Sequence, residues 1–175
     1  MSSNADTAVL ASPLGVIALR PEVPTDEAFR FALFRASRGP GWDQVALPPD
    51  MLAMIMTQQF RAQTQGYRAD YPDARLDIIT VDDAPAGRLA VDRSRGAVHL
   101  VDIAVTPDWR GRGLGTAILR QLMAEAAENA LPLTLHVASD NLAAHRLYLR
   151  LGFEAVAEDE THLSMRWLPT SAKPA

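Results

Sequence analysis

Apolar and polar residues follow two different spacings along this chain, and these spacings divide it into strands and helices. Short apolar runs are typical of strands, whereas apolar residues three or four positions apart are typical of helices. Seven strands are predicted, at residues 14–20, 76–81, 88–92, 99–106, 133–138, 153–157 and 162–167. Four helices are predicted, at residues 25–38, 48–65, 113–129 and 141–151. We therefore expect a mixed α/β (α+β) protein with a central sheet of about six to seven strands and about four flanking helices.

A single domain is expected between two tails. Residues 1–12 and 169–175 are small and polar, and we expect both segments to be disordered. No repeat or linker divides residues 13–168, and a chain of 175 residues is long enough to bury a substantial core. The helix at 113–129 joins two apolar strands, which favours parallel pairing between them.

The most informative stretch is HLVDIAVTPDWRGRGLGT, at residues 99–116. Its first half is apolar on both faces, as in a central strand, and Pro107 ends that strand because proline has no N–H to donate. Gly111, Gly113 and Gly115 follow, and a helix begins directly after them. Glycines allow close backbone approach, and the free N–H groups of a first helical turn bind anions. The sequence therefore predicts a phosphate or pyrophosphate site at this turn.

Two familiar phosphate loops do not fit this turn. A P-loop requires Gly-Lys-Ser/Thr, and a dinucleotide fingerprint requires glycine where this chain has Thr116. The pattern that remains is Arg110-x-x-Gly113-x-Gly115, with Arg112 as a second positive charge. The simplest alternative is an ordinary glycine-rich connection with two solvated arginines.

A second motif lies on the last predicted helix. Residues 141–153 follow a strand and carry the pattern Asn-x-x-Ala-x-x-Leu-Tyr-x-x-x-Gly-Phe. Together with the Arg-x-x-Gly-x-Gly turn before it, this motif resembles the GNAT acyltransferases (GCN5-related N-acetyltransferases). The resemblance covers residues 14–167 by element order and is specific over residues 98–153.

The resemblance implies a fold in which two parallel strands splay apart and acetyl-CoA lies in the resulting V. Strand residues would pair with the pantetheine arm, the glycine turn would hold the pyrophosphate, and the last helix would contact the pantetheine and the thioester. The implied cofactor-binding residues are Ile103, Ala104, Val105, Arg110, Gly111, Arg112, Gly113, Leu114, Gly115, Thr116, Asn141, Ala144 and Tyr148.

The chemistry of acetyl transfer sets further requirements. The chain has no cysteine, which excludes an acyl-cysteine intermediate and leaves direct attack by an amine in a ternary complex. An amine is protonated at neutral pH, since its pKa is about 10. A base must therefore accept a proton, and an acid can protonate the leaving thiolate. Tyr148 is the candidate acid, although a tyrosine at this position can also serve only in packing.

Three candidates remain for the base. Asp102 lies within an apolar strand, where desolvation would raise its pKa. His99 occupies the position at which some members of the resembled family carry a catalytic glutamate. The two differ in strand parity, so only one of them faces the cleft unless a bulge intervenes. Either can be purely structural, in which case a chain of water molecules carries the proton.

Amide and aromatic side chains are interleaved at the end of the second predicted helix. Gln58, Gln63, Tyr67 and Tyr71 are the candidate substrate-binding residues, and Trp42 lies just upstream. They could form an acceptor wall opposite the predicted hairpin at 153–167. The alternative is that the aromatic residues are core and the glutamines face water.

Charge and composition exclude several classes of function. The net charge of −4 and the lack of any basic run argue against a nucleic-acid-binding protein, including an RNA-modifying member of the resembled family. No apolar segment predicts a membrane span or signal peptide, so a cytoplasmic protein is expected. No cluster has metal-ligand spacing. The scarcity of lysine, with Lys173 the one lysine among 17 basic residues, hints at a GC-rich bacterial genome.

The sequence therefore predicts an acetyl-CoA-dependent N-acetyltransferase acting on a primary amine of a small molecule or of a peptide or protein N-terminus. The alternative is a CoA-binding sensor or interaction module without turnover. A homodimer is left open.

Overall fold

A computed structural model of the protein describes residues 9–38 and 45–169. Within these residues, eight strands form one mixed sheet in the order β1-β2-β3-β4-β5-β6-β8-β7. The strands are β1 (Val9–Ser12), β2 (Gly15–Pro21), β3 (Arg75–Val81), β4 (Ala84–Asp92), β5 (Val98–Val105), β6 (Leu133–Ala138), β7 (Glu154–Glu158) and β8 (His162–Trp167). The helices are α1 (Glu27–Ser37), α2 (Pro49–Asp70), α3 (Leu114–Glu128) and α4 (Leu142–Arg150). The predicted mixed α/β fold is confirmed, with eight strands instead of six or seven.

Strand β1 lies within the segment that the sequence assigns to a disordered tail. It pairs antiparallel with β2 through a tight turn, in which the Ser12 hydroxyl donates to the Gly15 carbonyl at 3.0 Å. Gly15 has a φ of 118°, a conformation that residues with a side chain rarely adopt. The tail prediction is therefore wrong for residues 9–12. Residues 1–8 and 170–175 lie outside the described residues.

The buried core lies between the sheet and α3. Leu114, Ile118, Leu119 and Leu122 of α3 are at most 2% exposed and pack with apolar residues of six strands. Helices α1 and α2 form a smaller cluster, in which Phe34, Met56 and Phe60 are buried together. Among the described residues, no helix combines the length and apolar character that crossing a membrane requires.

A bulge in β5 determines which of its side chains share a face. The register between β4 and β5 shifts at Val101, which stands outside the paired positions. On either side of the shift, Asp92 pairs with His99 and Ala90 pairs with Asp102. Because Asp92 and Ala90 are two residues apart on β4, they share a face of the sheet, and so do their partners. His99 and Asp102 therefore lie on one face despite their odd spacing.

Strands β5 and β6 are parallel, but they pair over only three positions. The pairs are Val98 with Leu133, His99 with Thr134, and Leu100 with Leu135. Beyond these three pairs, β5 and β6 are no longer paired with each other. The two strands diverge there and leave a V-shaped opening. The outer half of the sheet beyond β6 ends at β7, whose five residues are all exposed.

Candidate active site

Two cavities open into the V between β5 and β6, with volumes of about 580 Å³ and about 720 Å³. Their walls share residues from α1, α2, β5 and α4, so they form one cleft with these residues at the junction. The shared residues are Ser37, Gln63, Tyr67, Asp102, Ile103, Asn141, Ala144 and Tyr148. Two of the three predicted catalytic residues are therefore at the junction.

The backbone of β5 presents alternate residues to the V. The Thr106 N–H donates to the Ala86 carbonyl at 2.9 Å, which makes this pair a hydrogen-bonded pair of the antiparallel ladder. Hydrogen-bonded and non-hydrogen-bonded pairs alternate in such a ladder. The N–H and carbonyl groups of Val105 and Ile103 therefore point away from β4 and into the V, as expected for residues that pair with an extended ligand.

The glycine turn before α3 leaves open space beside its backbone. Gly111 and Gly113 have left-handed φ values of 69° and 89°, and Gly113 is the N-cap of α3. A Cβ atom built on Gly111, Gly113 or Gly115 would meet no atom within 4 Å. Backbone N–H groups at the start of a helix beside open space fit a pyrophosphate, because they can approach its oxygens unhindered.

The two arginines of this turn differ in their contacts. Arg110 lines the smaller cavity, where its Nε donates to the Val105 carbonyl at 3.3 Å and its Nη2 to the Ala36 carbonyl at 3.0 Å. It thereby connects the turn to the end of β5 and the end of α1. The Arg112 guanidinium lies 5.3 Å from the centre of the Trp109 ring, outside the walls of both cavities.

The predicted cofactor-binding residues fall into two groups. Those on the cleft wall are Ile103, Ala104, Val105, Arg110, Gly115, Asn141, Ala144 and Tyr148. Those away from both walls are Gly111, Arg112, Gly113, Leu114 and Thr116. The Leu114 side chain is fully buried in the core, so only its backbone can serve a ligand.

Helix α4 positions Asn141 and Tyr148. The Asn141 Oδ1 accepts a hydrogen bond from the Ala144 N–H at 3.1 Å and caps the helix. The Tyr148 ring is 7% exposed and packs on the Phe153 ring at a centroid distance of 5.5 Å. Burial and the nearby Asp102 charge raise the pKa of Tyr148 to about 12. Tyr148 is therefore protonated at neutral pH and gives up its proton less readily than an exposed tyrosine.

Asp102 ends a chain of four charged side chains. Its Oδ2 lies 3.3 Å from Arg88 Nη1, and Arg88 Nε lies 2.8 Å from Glu22 Oε2. The other oxygen of Glu22 lies 2.8 Å from Arg30 Nη1. Burial raises the pKa of Asp102, and the Arg88 charge partly opposes that rise. The carboxylate is therefore a better proton acceptor than an exposed aspartate.

His99 shares the face of Asp102 but lies outside both cavity walls. Its Nδ1 is 2.8 Å from the Thr134 hydroxyl, and its Nε2 is 3.2 Å from the Tyr71 hydroxyl. The imidazole also stacks on the Tyr71 ring at 5.2 Å. Burial lowers the pKa of His99, with a contribution from nearby His136. Both ring nitrogens are thus engaged by hydroxyl groups.

The four predicted substrate-binding residues also fall into two groups, one on the cavity walls and one away from them. Gln63 and Tyr67 line both cavities, and the Gln63 amide lies 3.3 Å from the Tyr67 hydroxyl. Burial is the main cause that raises the pKa of Tyr67 to about 12. Gln58 is exposed, and neither it nor Tyr71 lines either cavity. Trp42 lies outside the described residues.

Sequence reasoning missed Arg88, Glu22 and Arg30. Arg88 interrupts an otherwise apolar strand, which is the signal that singles out Asp102 on β5. The same signal could have identified Arg88. From the predicted hairpin at 153–167, His162 reaches the wall of the larger cavity.

Known proteins are similar to this chain in part of its sequence and in its fold. Residues 48–153 match the model of the Acetyltransferase (GNAT) family. Over 94 residues the chain is 33% identical to ribosomal protein bS18-alanine N-acetyltransferase of Salmonella typhimurium, covering 53% of this chain and 60% of that protein. The chain is also 31% identical over 94 residues to the L-amino acid N-acetyltransferase AaaT of Escherichia coli. This match covers 49% of this chain and 57% of that protein.

These matches cover only 38% to 60% of the length of the curated relatives. The fold is similar to the crystal structure of the PaiA N-acetyltransferase from Thermoplasma acidophilum in complex with coenzyme A. The TM-score is 0.65 at 13% identity, over 87% of this chain and 98% of that chain. At this identity the likeness concerns the fold alone.

Proposed function

Because this chain belongs to the Acetyltransferase (GNAT) family, we propose that it is an N-acetyltransferase that transfers an acetyl group from acetyl-CoA directly to a primary amine. The acceptor is a small molecule or a peptide or protein N-terminus. One observation carries the proposal: Asp102, suited to accept a proton, and Tyr148, suited to donate one, meet at the junction of the cleft. The names of two relatives, which specify alanine and L-amino acids, support an amine acceptor.

The residues around the V fit acetyl-CoA. Val105 offers its backbone N–H and Ile103 its carbonyl to the pantetheine arm, since the Ile103 N–H stabilises Asp102, and Asn141 and Ala144 line the same cleft. The backbone at Gly111, Gly113 and Gly115 borders open space at the start of α3, and N–H groups of this turn would hold the pyrophosphate. Acetyl-CoA supplies the activated acyl group.

Proton transfer is assigned to two side chains. The Asp102 carboxylate accepts the proton of the acceptor ammonium, because burial raises its pKa toward the range in which a carboxylate is an effective base. The Tyr148 hydroxyl stays protonated at neutral pH and donates to the departing sulfur. The engaged ring nitrogens of His99 support a structural role for that residue, with Asp102 or an intervening water as the base.

The acceptor wall is assigned to α2, with Gln63 and Tyr67 as its polar contacts. Replacing either residue by alanine should raise the KM for the acceptor and leave the CoA-induced rise in melting temperature unchanged. Gln58→Ala is the matched control, since Gln58 is exposed on the same helix outside both cavity walls. Equal KM values for Gln63→Ala, Tyr67→Ala and Gln58→Ala would contradict this assignment.

The proposed activity is tested by incubating the full chain with acetyl-CoA and a panel of amines. The panel contains free amino acids, their amides, short peptides with free N-termini, and polyamines. We expect release of CoA thiol above the amine-free rate with at least one class, together with an acetylated product in the mass spectrum. A chain that is stabilised by CoA but acetylates no amine would instead be the sensor or interaction module.

A further inference from the structure

The buried charges behind Asp102 form a continuous chain that ends in the cleft. Arg30, Glu22 and Arg88 have side chains that are only 9%, 7% and 11% exposed, whereas Asp102 is 27% exposed. The four residues come from α1, the segment after β2, β4 and β5. Positive and negative charges alternate along the chain, and both Glu22 oxygens are occupied by guanidinium groups.

We propose that Glu22 is a positioning residue for the reaction: by binding Arg88 through Nε, it takes the larger share of that guanidinium charge and leaves Asp102, which has the longer contact with Arg88, able to accept a proton. This inference rests on the proposed N-acetyltransferase function, in which Asp102 is the base. Glu22 lines neither cavity and acts only through Arg88.

The distances support an unequal sharing of Arg88. Its contact with Glu22 is 2.8 Å, within the usual range for a charge-assisted hydrogen bond, whereas its contact with Asp102 is 3.3 Å. A guanidinium that faced Asp102 with two parallel N–H groups would hold the carboxylate in its charged form and make it a poor base. In this structure Glu22 holds the Nε of Arg88 and Asp102 contacts only Nη1, so the Arg88 charge is shared unequally in favour of Glu22.

The other groups around Asp102 leave Arg88 as its one ion-pair partner among the residues described. Tyr67 from α2 and Tyr148 from α4 are neutral at physiological pH, since their pKa values are about 12. The Ile103 N–H also stabilises the carboxylate. Arg38 from α1 and His136 from β6 line the same cavity. Glu22 therefore binds Arg88, the cation that pairs with Asp102.

The test is a carbon-13 NMR titration of the full chain labelled at aspartate carboxyl carbons, with Asp102→Asn to assign the signal. Glu22→Gln removes the negative charge from Arg30 and Arg88, so the pKa of Asp102 should fall by about one unit or more. Arg30→Gln leaves Glu22 wholly to Arg88 and should move that pKa upward. Opposite shifts are not expected from a loss of packing.

Asp77→Asn is the matched control. Asp77 is also a buried carboxylate paired with an arginine, Arg75 at 2.8 Å, and it has no contact with Arg30, Arg88 or Asp102 among the described ion pairs. Its loss should destabilise the fold without moving the Asp102 titration. An unchanged Asp102 titration in Glu22→Gln, or an equal shift in Asp77→Asn, would overturn the proposal. If Glu22→Gln does not fold, the direction of the Arg30→Gln shift decides.

A second measurement connects the titration to catalysis. With an amine that the parent acetylates, the acid limb of kcat/KM should move to lower pH in Glu22→Gln and remain in place in Asp77→Asn. If the acid limb of Glu22→Gln stays in place although the Asp102 titration has shifted, Glu22 has no role in the reaction. The titration itself needs neither acetyl-CoA nor amine, so its failure is distinct from a failure of the proposed activity, which is absence of turnover across the panel.

Discussion

Tyr148 combines a ring that packs in the core with a hydroxyl that we propose as the general acid. Its ring contacts Phe153, and Tyr148→Phe retains that contact. We expect turnover to fall by about a hundredfold, the usual effect of losing a general acid, with little change in melting temperature or in stabilisation by CoA. Turnover equal to the parent, in an assay limited by the chemical step, would make Tyr148 a packing residue.

Asp102 should carry a cost in stability that depends on pH. Burial raises its pKa in the folded chain, so the folded state holds this proton more tightly than the unfolded state does. Below the pKa of Asp102 in the unfolded chain, the carboxyl is protonated in both states and does not reduce the free energy of unfolding. As pH rises through the higher pKa of the folded chain, the folded state loses stability. We therefore expect Asp102→Asn to be more stable than the parent at about pH 7.5 and no more stable at about pH 4.

Thermal melting at the two pH values measures this difference, and the acetylation rate of Asp102→Asn should be strongly reduced in the same samples. A melting difference that is the same at both pH values would show that the Asp102 pKa is not raised by folding.

A residue could be identified as a site candidate from the sequence when the residues next to it in the chain define its environment. Asp102 within an apolar strand and Tyr148 within the helical motif belong to this group. Glu22 and Arg88 do not, because they are 66 positions apart and meet only when β2 and β4 are in place. The engagement of His99 depends likewise on Tyr71 and Thr134, which no local pattern connects to it.

The turn between β5 and α3 can be tested as an element. Gly113→Glu places a carboxylate where the pyrophosphate should lie, so it should abolish the rise in melting temperature that CoA causes. Gly96→Glu is the matched control: Gly96 also has a left-handed φ, 69°, and open space beside it, but it lies in the turn between β4 and β5. Both variants are strained, and only Gly113→Glu should lose CoA.

An equal response to CoA in the Gly113→Glu and Gly96→Glu variants would mean that the glycine turn is not the phosphate site. A loss in both would point to strain instead of to the added charge.

Regular elements followed from hydrophobic spacing, and irregular ones did not. β6 has the predicted bounds, and α3 begins one residue after the predicted start, because each is a continuous apolar pattern with clear ends. Helix α2 continues to Asp70, beyond the predicted end at Gln65, and stops shortly before Pro72. The bulge at Val101 leaves no mark in a run that is apolar on both faces, since every shift of register buries apolar side chains.

The whole sheet is held together at its centre by three residue pairs, and the V beside them exposes backbone groups. The Val105 N–H points into the V, whereas the Ala104 N–H belongs to a hydrogen-bonded pair with β4. We expect the Val105 amide to exchange with solvent much faster than the Ala104 amide, and saturating CoA to slow the Val105 amide selectively. Residue-resolved amide exchange by NMR measures both. Equal slowing of the two amides would indicate general stabilisation of the chain instead of strand-like pairing with the ligand.

The position of β7 at the edge of the sheet affects whether separate molecules aggregate in solution. An outer strand presents unpaired backbone groups that a second chain could extend, which is the usual first step of sheet aggregation. In β7 all five residues are exposed, and Glu154 and Glu158 place a negative charge at each end. Two such strands brought edge to edge would repel each other through these charges. Concentrated solutions of the parent should therefore remain clear, whereas a variant that carries both Glu154→Gln and Glu158→Gln should become turbid at the same protein concentration and pH.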